Sequence, residues 1–221
     1  MRLRAMDMLI FLSACAAIIG ASLDGSWLWL HYTGKPLTTL LILWLALSAQ
    51  PAVDTRYRRA VLAGLVLSLV GDVFLMLPGD HFVPGLVAFL LAHVCYIVAF
   101  APGSSAKARA LAFVVVAAIA AGNLAVLLPR VDAALKIAVL AYVVVLATMA
   151  AFALARAWTP AVAQTLPRSA RLAAIGAVFF MVSDSLLAWD RFGGGVPMPA
   201  LLVLSSYWLA QWCIARSVQR G

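Results

Sequence analysis

Two aspartates, Asp72 and Asp184, interrupt apolar runs, Leu67-Ser68-Leu69-Val70-Gly71-Asp72-Val73-Phe74-Leu75 and Phe179-Phe180-Met181-Val182-Ser183-Asp184-Ser185-Leu186-Leu187. A carboxylate near mid-bilayer costs roughly 3 kcal/mol on insertion scales, so an acid in such a run marks a functional site by default. The chain has eight acidic residues, all Asp, and spends two of them there. Two carboxyls brought close in low dielectric cannot both ionise easily, so one residue type supplies a proton donor and a base. The competing reading is a structural clamp, each carboxyl hydrogen-bonded to a neighbouring helix.

Other chemistry-bearing residues accompany the pair. His93 and Tyr96, three apart, share a helix face flanked by Phe89 and Phe100. Tyr207 and Gln211, four apart, serve interhelical hydrogen bonding or support the acids. Asn123 and Tyr142 are weaker cases of the same kind. Lys35, followed by Pro36, either snorkels to the interface or holds a lipid phosphate at a cavity mouth. Lys136 reads as a snorkelling residue. No metal site or cofactor is expected, because His31 and His81 fall at the outer surface and no cluster has ligand spacing. Cys15, Cys95 and Cys213 read as small buried hydrophobes with no paired spacing. A Gly-rich phosphate loop and a Gly-x-Ser-x-Gly elbow are absent. The intramembrane aspartyl protease pattern fails too, since Leu69-Val70 precedes Gly71-Asp72 and no Pro-Ala-Leu segment follows Asp184.

These residues need a membrane scaffold. The chain has 221 residues, 66% hydrophobic and 11% charged, against roughly 45–50% and 25% in soluble domains. It reads as one all-α transmembrane domain, 1–221, with chemistry left to side chains within the bundle. The net charge of +8 lies in short loops without stacking aromatics, which excludes nucleic-acid binding. Leu12-Ser13-Ala14-Cys15 is similar to a lipoprotein cleavage box, but Asp7 interrupts the stretch before it, so the first segment is expected as a retained helix.

Eight spans of about 20 apolar residues emerge: 7–23, 35–51, 59–77, 83–101, 109–128, 132–156, 170–189 and 198–215. Segment 24–34 is too short to span, and its Trp and Tyr suit the interface. Arg2 and Arg4, Arg56 to Arg59, Lys107 and Arg109, Arg156 to Arg171, and Arg216 and Arg220 all fall on one side. The other side holds Asp24, Asp80, Asp132 and Asp190, with Arg130 and Arg191. The positive-inside rule then makes both termini cytoplasmic. Asp72 and Asp184 come to equal depth, about 8 Å below the outer end of their spans at roughly 1.5 Å per residue. Lys35 opens span 2 at the outer face. The likeness of Val70–Leu75 to Val182–Leu187, each followed by a loop with Asp and Phe, suggests a parallel 4+4 repeat.

At these residues the chain resembles the YhhN-like lysoplasmalogenase family. The matching stretches are Lys35-Pro36-Leu37-Thr38-Thr39, Gly71-Asp72-Val73-Phe74-Leu75-Met76, Phe82-x-x-Gly85-Leu86-x-x-Phe89, His93-x-x-Tyr96, Phe180-Met181-x-Ser183-Asp184-Ser185 and Tyr207-x-x-x-Gln211. The resemblance implies an eight-span protein of the bacterial inner membrane that takes a lysophospholipid. It implies hydrolysis of a vinyl ether bond to a fatty aldehyde and a glycerophospho-head group. Asp72 and Asp184 would be catalytic, with His93, Tyr96, Tyr207 and Gln211 in support and Lys35 on the head group. Two carboxyls suffice for this chemistry, as in glycosidases, which also pass through an oxocarbenium-like state. The acids' depth implies entry from the non-cytoplasmic side. The rival is a transporter or lipid carrier with the aspartates as a proton relay.

Overall fold

Apolar runs bounded by Pro, Gly and charge fold into helices in the order α1 (Arg2–Leu23), α2 (Leu28–Leu47), α3 (Thr55–Met76), α4 (Phe82–Phe100), α5 (Ala106–Leu127), α6 (Lys136–Ala157), the short α7 (Pro160–Thr165), α8 (Pro167–Phe192) and α9 (Pro199–Arg216). The computed structural model describes residues 2–220, with side chains from residue 5 onward, so the Arg2 and Arg4 side chains used in orienting the chain lie outside the described residues. Polar caps set some of the starts. Asp54 Oδ1 accepts from the Tyr57 N–H at 2.7 Å to open α3, and Ser105 Oγ accepts from the Ala108 N–H at 3.3 Å to open α5.

Six of these helices are long and apolar enough to cross a membrane: α1, α3, α4, α5, α6 and α8. The chain is a multi-pass membrane protein. The other two long helices, α2 and α9, are not among the six and carry buried polar side chains, Lys35, Thr38 and Thr39 in one and Ser206, Tyr207 and Gln211 in the other. The second helix corrects the expected boundaries. It begins at Leu28, so most of segment 24–34 belongs to its first turns, and it ends at Leu47. Pro36 sits inside it. Lys35 is therefore well within a helix, 6% exposed, and does not lie at the outer surface. The sixth span likewise starts at Lys136, after a loop of turns from 131.

Buried positions recur at three- and four-residue steps, which fixes the inward face of each helix. In α3 they are Tyr57, Val61, Gly64, Leu65, Ser68, Gly71 and Asp72. In α4 they include Ala88, Phe89, Ala92, His93, Tyr96 and Phe100. In α6 they run from Tyr142 through Leu146 to Met149 and Ala153. Small residues let helices approach closely. A Cβ at Gly64 would lie 2.3 Å from the Tyr96 ring, and one at Gly176 would lie 2.8 Å from the Ala210 carbonyl.

Sequential long helices pack as pairs: α1 on α2, α3 on α4, α5 on α6 and α8 on α9. α2 also packs on α3 and α9, and α6 on α4 and α8. At one end of the bundle, residues 50–53 pair with 218–220 through Val53 N–H to Val218 O at 2.9 Å and Arg220 N–H to Pro51 O at 2.8 Å. Connections 77–81, 128–135 and 193–198 lie at the opposite end, where the first two contribute to the cavity described next and Gly193 O accepts from Arg130.

Candidate active site

Both aspartates open onto one cavity of about 540 Å³, a size typical of small-molecule pockets, roughly 300–1,000 Å³. Asp72 from α3, Asp184 from α8, Lys35 from α2, Tyr142 from α6 and Tyr207 from α9 all reach it. These five polar side chains thus come from five different helices. Its wall is otherwise largely apolar, with Leu75, Phe89, Leu146, Met181 and Leu204, and its rim carries Asp80, His81, Asp190 and Arg191.

Asp72 is 1% exposed and surrounded by donors. Its Oδ2 accepts from Thr39 Oγ1 at 2.7 Å and from Tyr207 Oη at 2.8 Å. Its Oδ1 lies 3.8 Å from Lys35 Nζ. A chain of hydrogen bonds stands behind it. Tyr96 Oη donates to Gln211 Oε1 at 2.8 Å, and Gln211 Nε2 donates to Tyr207 Oη at 3.1 Å. Ser68 Oγ is 3.4 Å from Tyr96 Oη, and Trp208 Nε1 donates to Thr39 Oγ1 at 3.4 Å. Every group on Asp72 therefore supplies a proton or a positive charge, and the carboxyl acts only as acceptor, the pattern of the ionised form.

Asp184 has different company. Its Oδ2 accepts from Tyr142 Oη at 2.6 Å, its one side-chain hydrogen bond among the described residues, and no cation pairs with it there. It is half-buried, exposed on the cavity side. The preceding Ser183 donates to Val203 O at 3.1 Å and ties this turn of α8 to α9.

The supporting residues divide. Tyr96, Tyr207 and Gln211 form the chain to Asp72. His93 does not join it: neither ring nitrogen has a hydrogen-bond partner among the described residues. Its ring packs edge-on against Phe180, centroids 4.6 Å apart, and against Tyr142 at 5.4 Å. Lys35 sits against an acid instead of above both. The expected equal depth of the acids does not follow from the helix ends. α3 ends four residues after Asp72, but α8 runs eight residues past Asp184 to Phe192; these are about 6 and 12 Å along the axes. Sequence reasoning missed Thr39 and underrated Tyr142. The available signal for Thr39 was its i+4 spacing from Lys35, which puts both on one face of α2.

A family model described as the YhhN family matches residues 30–218. The chain is 32% identical to the human protein named lysoplasmalogenase TMEM86B over 75% of this chain and 66% of that one. Identity is 31% to pig lysoplasmalogenase TMEM86B, over 89% and 77% of the two chains. It is 35% to a Mycobacterium tuberculosis protein named lysoplasmalogenase, over 71% and 59%. The chain thus spans just under two thirds of the human relative and about three fifths of the mycobacterial one. No solved structure gives a significant match.

Proposed function

The chain belongs to the YhhN family, and from that premise we propose that it is a membrane lipid hydrolase that cleaves the vinyl ether bond of a lysoplasmalogen. The observation that carries the reading is that two carboxyls with unlike surroundings, one buried and one half-buried, open onto one largely apolar cavity of about 540 Å³. The relatives' shared name supports the same substrate class.

The unlike surroundings support one division of roles. Lys35, Thr39 and Tyr207 compensate a negative charge on Asp72, which is the carboxylate. Asp184, half-buried with a phenol and no cation beside it, is the carboxylic acid, since a charge drawn partly out of water without a partner is costly. In the reaction, Asp184 delivers its proton to the vinyl carbon distal to the oxygen. The adjoining carbon and ether oxygen become an oxocarbenium ion. Asp72 stabilises that cation and takes a proton from the water that attacks it. The hemiacetal then collapses to a fatty aldehyde as its hydroxyl proton passes to the Asp184 carboxylate and Asp72 gives its proton to the departing glycerol oxygen, which restores both groups. Positioned acid–base groups contribute about 10²–10⁴-fold each. Tyr207, Gln211 and Tyr96 hold Asp72 in place, and His93 packs behind Tyr142. Lys35 is the counter-ion of Asp72, a role that replaces head-group contact.

We also infer eight spans, with α2 and α9 crossing alongside the six most apolar helices. Both termini would be cytoplasmic in a bacterial inner membrane, and the cavity mouth would face the other side. The alternation of loop charge supports this. A parallel 4+4 repeat is supported by recurring contacts. The packings α1–α2, α2–α3, α3–α4 and α2–α9 have counterparts in α5–α6, α6–α8, α8–α9 and α6–α4.

The test is aldehyde release from a lysoplasmalogen by the purified protein. Asp72→Asn and Asp184→Asn should each reduce it by at least about 100-fold with folding retained. Lipid movement without cleavage would replace the hydrolase with the carrier.

A further inference from the structure

The cavity mouth holds an ion pair that the bond-cleaving chemistry leaves unused. Arg191, in the last turn of α8, donates from Nη2 to both carboxylate oxygens of Asp80 at 3.0 Å. Its guanidinium also lies 4.0 Å over the Phe82 ring. Both charged residues line the cavity, with 35% and 72% of their side chains exposed. Arg191 is already ordered by this contact, yet its Nε and Nη1 make no hydrogen bond to the protein among the described residues. The backbone N–H of Phe82 and the Arg191 guanidinium hold the Asp80 carboxyl below the usual carboxylate range, so it stays anionic. His81 and Asp190 share this rim, and Asp190 Oδ1 accepts from the Val196 N–H at 3.3 Å. Arg130 is engaged elsewhere, donating to Gly193 O at 3.0 Å.

We propose that Arg191 and Asp80 are the head-group subsite of the cavity, Arg191 taking the phosphodiester and Asp80 the amine of a zwitterionic lysophospholipid. The proposal rests on the lysolipid reading above. Its geometry comes from α8. Asp184, Leu187, Ala188 and Arg191 fall at three- and four-residue steps on one face and all line the cavity. Arg191 is two turns beyond Asp184, about 10 Å along the axis. Five covalent bonds separate the ether oxygen from the phosphorus in a lysophospholipid. That spacer, with the reach of the two side chains, brings the scissile bond to Asp184 while phosphate meets the guanidinium fork. A planar guanidinium with two free donor groups suits phosphate in pairs of hydrogen bonds. The other Lys or Arg on the cavity wall, Lys35, is occupied by Asp72. A head group with both charges replaces the Arg–Asp pair by two matching contacts, so binding leaves neither residue without a partner.

The experiment uses saturated 1-O-alkyl probes, which cannot be cleaved, bound to the full-length protein in detergent micelles. They are an alkyl glycerophosphoethanolamine, an alkyl lysophosphatidate and an alkylglycerol without phosphate. The phosphoethanolamine probe should bind wild type at least about tenfold more tightly than the alkylglycerol, the worth of one charge-assisted contact. Arg191→Gln should remove that preference and leave alkylglycerol affinity unchanged, and Arg191→Lys should keep part of it. Asp80→Asn should weaken the phosphoethanolamine probe and strengthen the lysophosphatidate. If Arg191→Gln weakens all three probes equally, or none, the subsite is overturned. Aldehyde release from a vinyl ether substrate is read separately. A wild type that shows the Arg191-dependent preference without cleaving overturns the hydrolase reading and keeps the subsite.

Discussion

Lys35 Nζ lies 3.8 Å from Asp72 Oδ1, and the two side chains are 7% and 2% exposed. α2 holds a buried ammonium against a carboxylate on the next helix, α3. With the Thr39 and Tyr207 hydroxyls, the pair leaves no charge of Asp72 uncompensated. Removing one partner of such a pair typically costs about 3–5 kcal/mol, because it strands the other charge. Lys35→Met should therefore lower the Tm in micelles markedly, and Lys35→Met with Asp72→Asn should recover most of the loss. Equal stability of Lys35→Met and wild type would show that the two groups are not coupled.

The hydrogen-bond chain predicts a graded series. Tyr207→Phe removes a donor from Asp72 itself; Gln211→Leu removes the group holding Tyr207; Tyr96→Phe acts one step further back. Losing a donor to a buried charge costs about 1–3 kcal/mol, so Tyr207→Phe should slow aldehyde release by about 10- to 100-fold. Gln211→Leu should cost less and Tyr96→Phe least. The kcat values of the three variants measure the order, and a reversed order rules the chain out as a support for Asp72.

His93 is fully buried with two unpartnered ring nitrogens. An apolar side chain of similar size loses no hydrogen bond there and removes buried polar atoms. His93→Leu should keep activity within about tenfold and leave the Tm equal or higher. A 100-fold loss at unchanged Tm would instead assign His93 a part in the chemistry.

Gly64 is the contact through which α3 admits Tyr96. A Cβ there would meet the ring at 2.3 and 2.7 Å, and the ring is stacked on Phe100 with centroids 6.1 Å apart. Gly64→Ala should destabilise by about 1–3 kcal/mol through overpacking and shift the Tyr96 hydroxyl from Gln211. Gly122→Ala, where the added methyl meets nothing within 4 Å, is the matched control. It should be neutral or slightly stabilising, as helix propensity expects. Parallel Tm measurements on the two variants check both statements.

Legibility in the sequence followed how strongly each feature contrasts with its surroundings. Asp72 and Asp184 stood out because a carboxyl is costly in an apolar run. The ends of α3 and α4 were close, because charges, Pro78 and Gly79 break the apolar pattern there. The start of α2 was misread because Trp29, His31 and Tyr32 dilute its first turns. That error alone moved Lys35 from the helix interior to the surface. Tyr142 looked no different from any other tyrosine in an apolar run.

What the sequence by itself determined is the membrane class, the helical runs and the presence of two acids within apolar runs, since each follows from the local cost of placing polar atoms in hydrocarbon. What only the tertiary structure decided is which face of each helix turns inward and who meets whom. In a membrane protein the lipid-facing side is as apolar as the core, so hydropathy carries little directional signal. Asp72 finds Thr39 across 33 residues and Tyr207 across 135, and Asp184 finds Tyr142 across 42. The unlike surroundings of the two carboxyls, a cation and two hydroxyls for one and a single phenol for the other, come from helix packing, and packing is set by side-chain shape across the whole bundle.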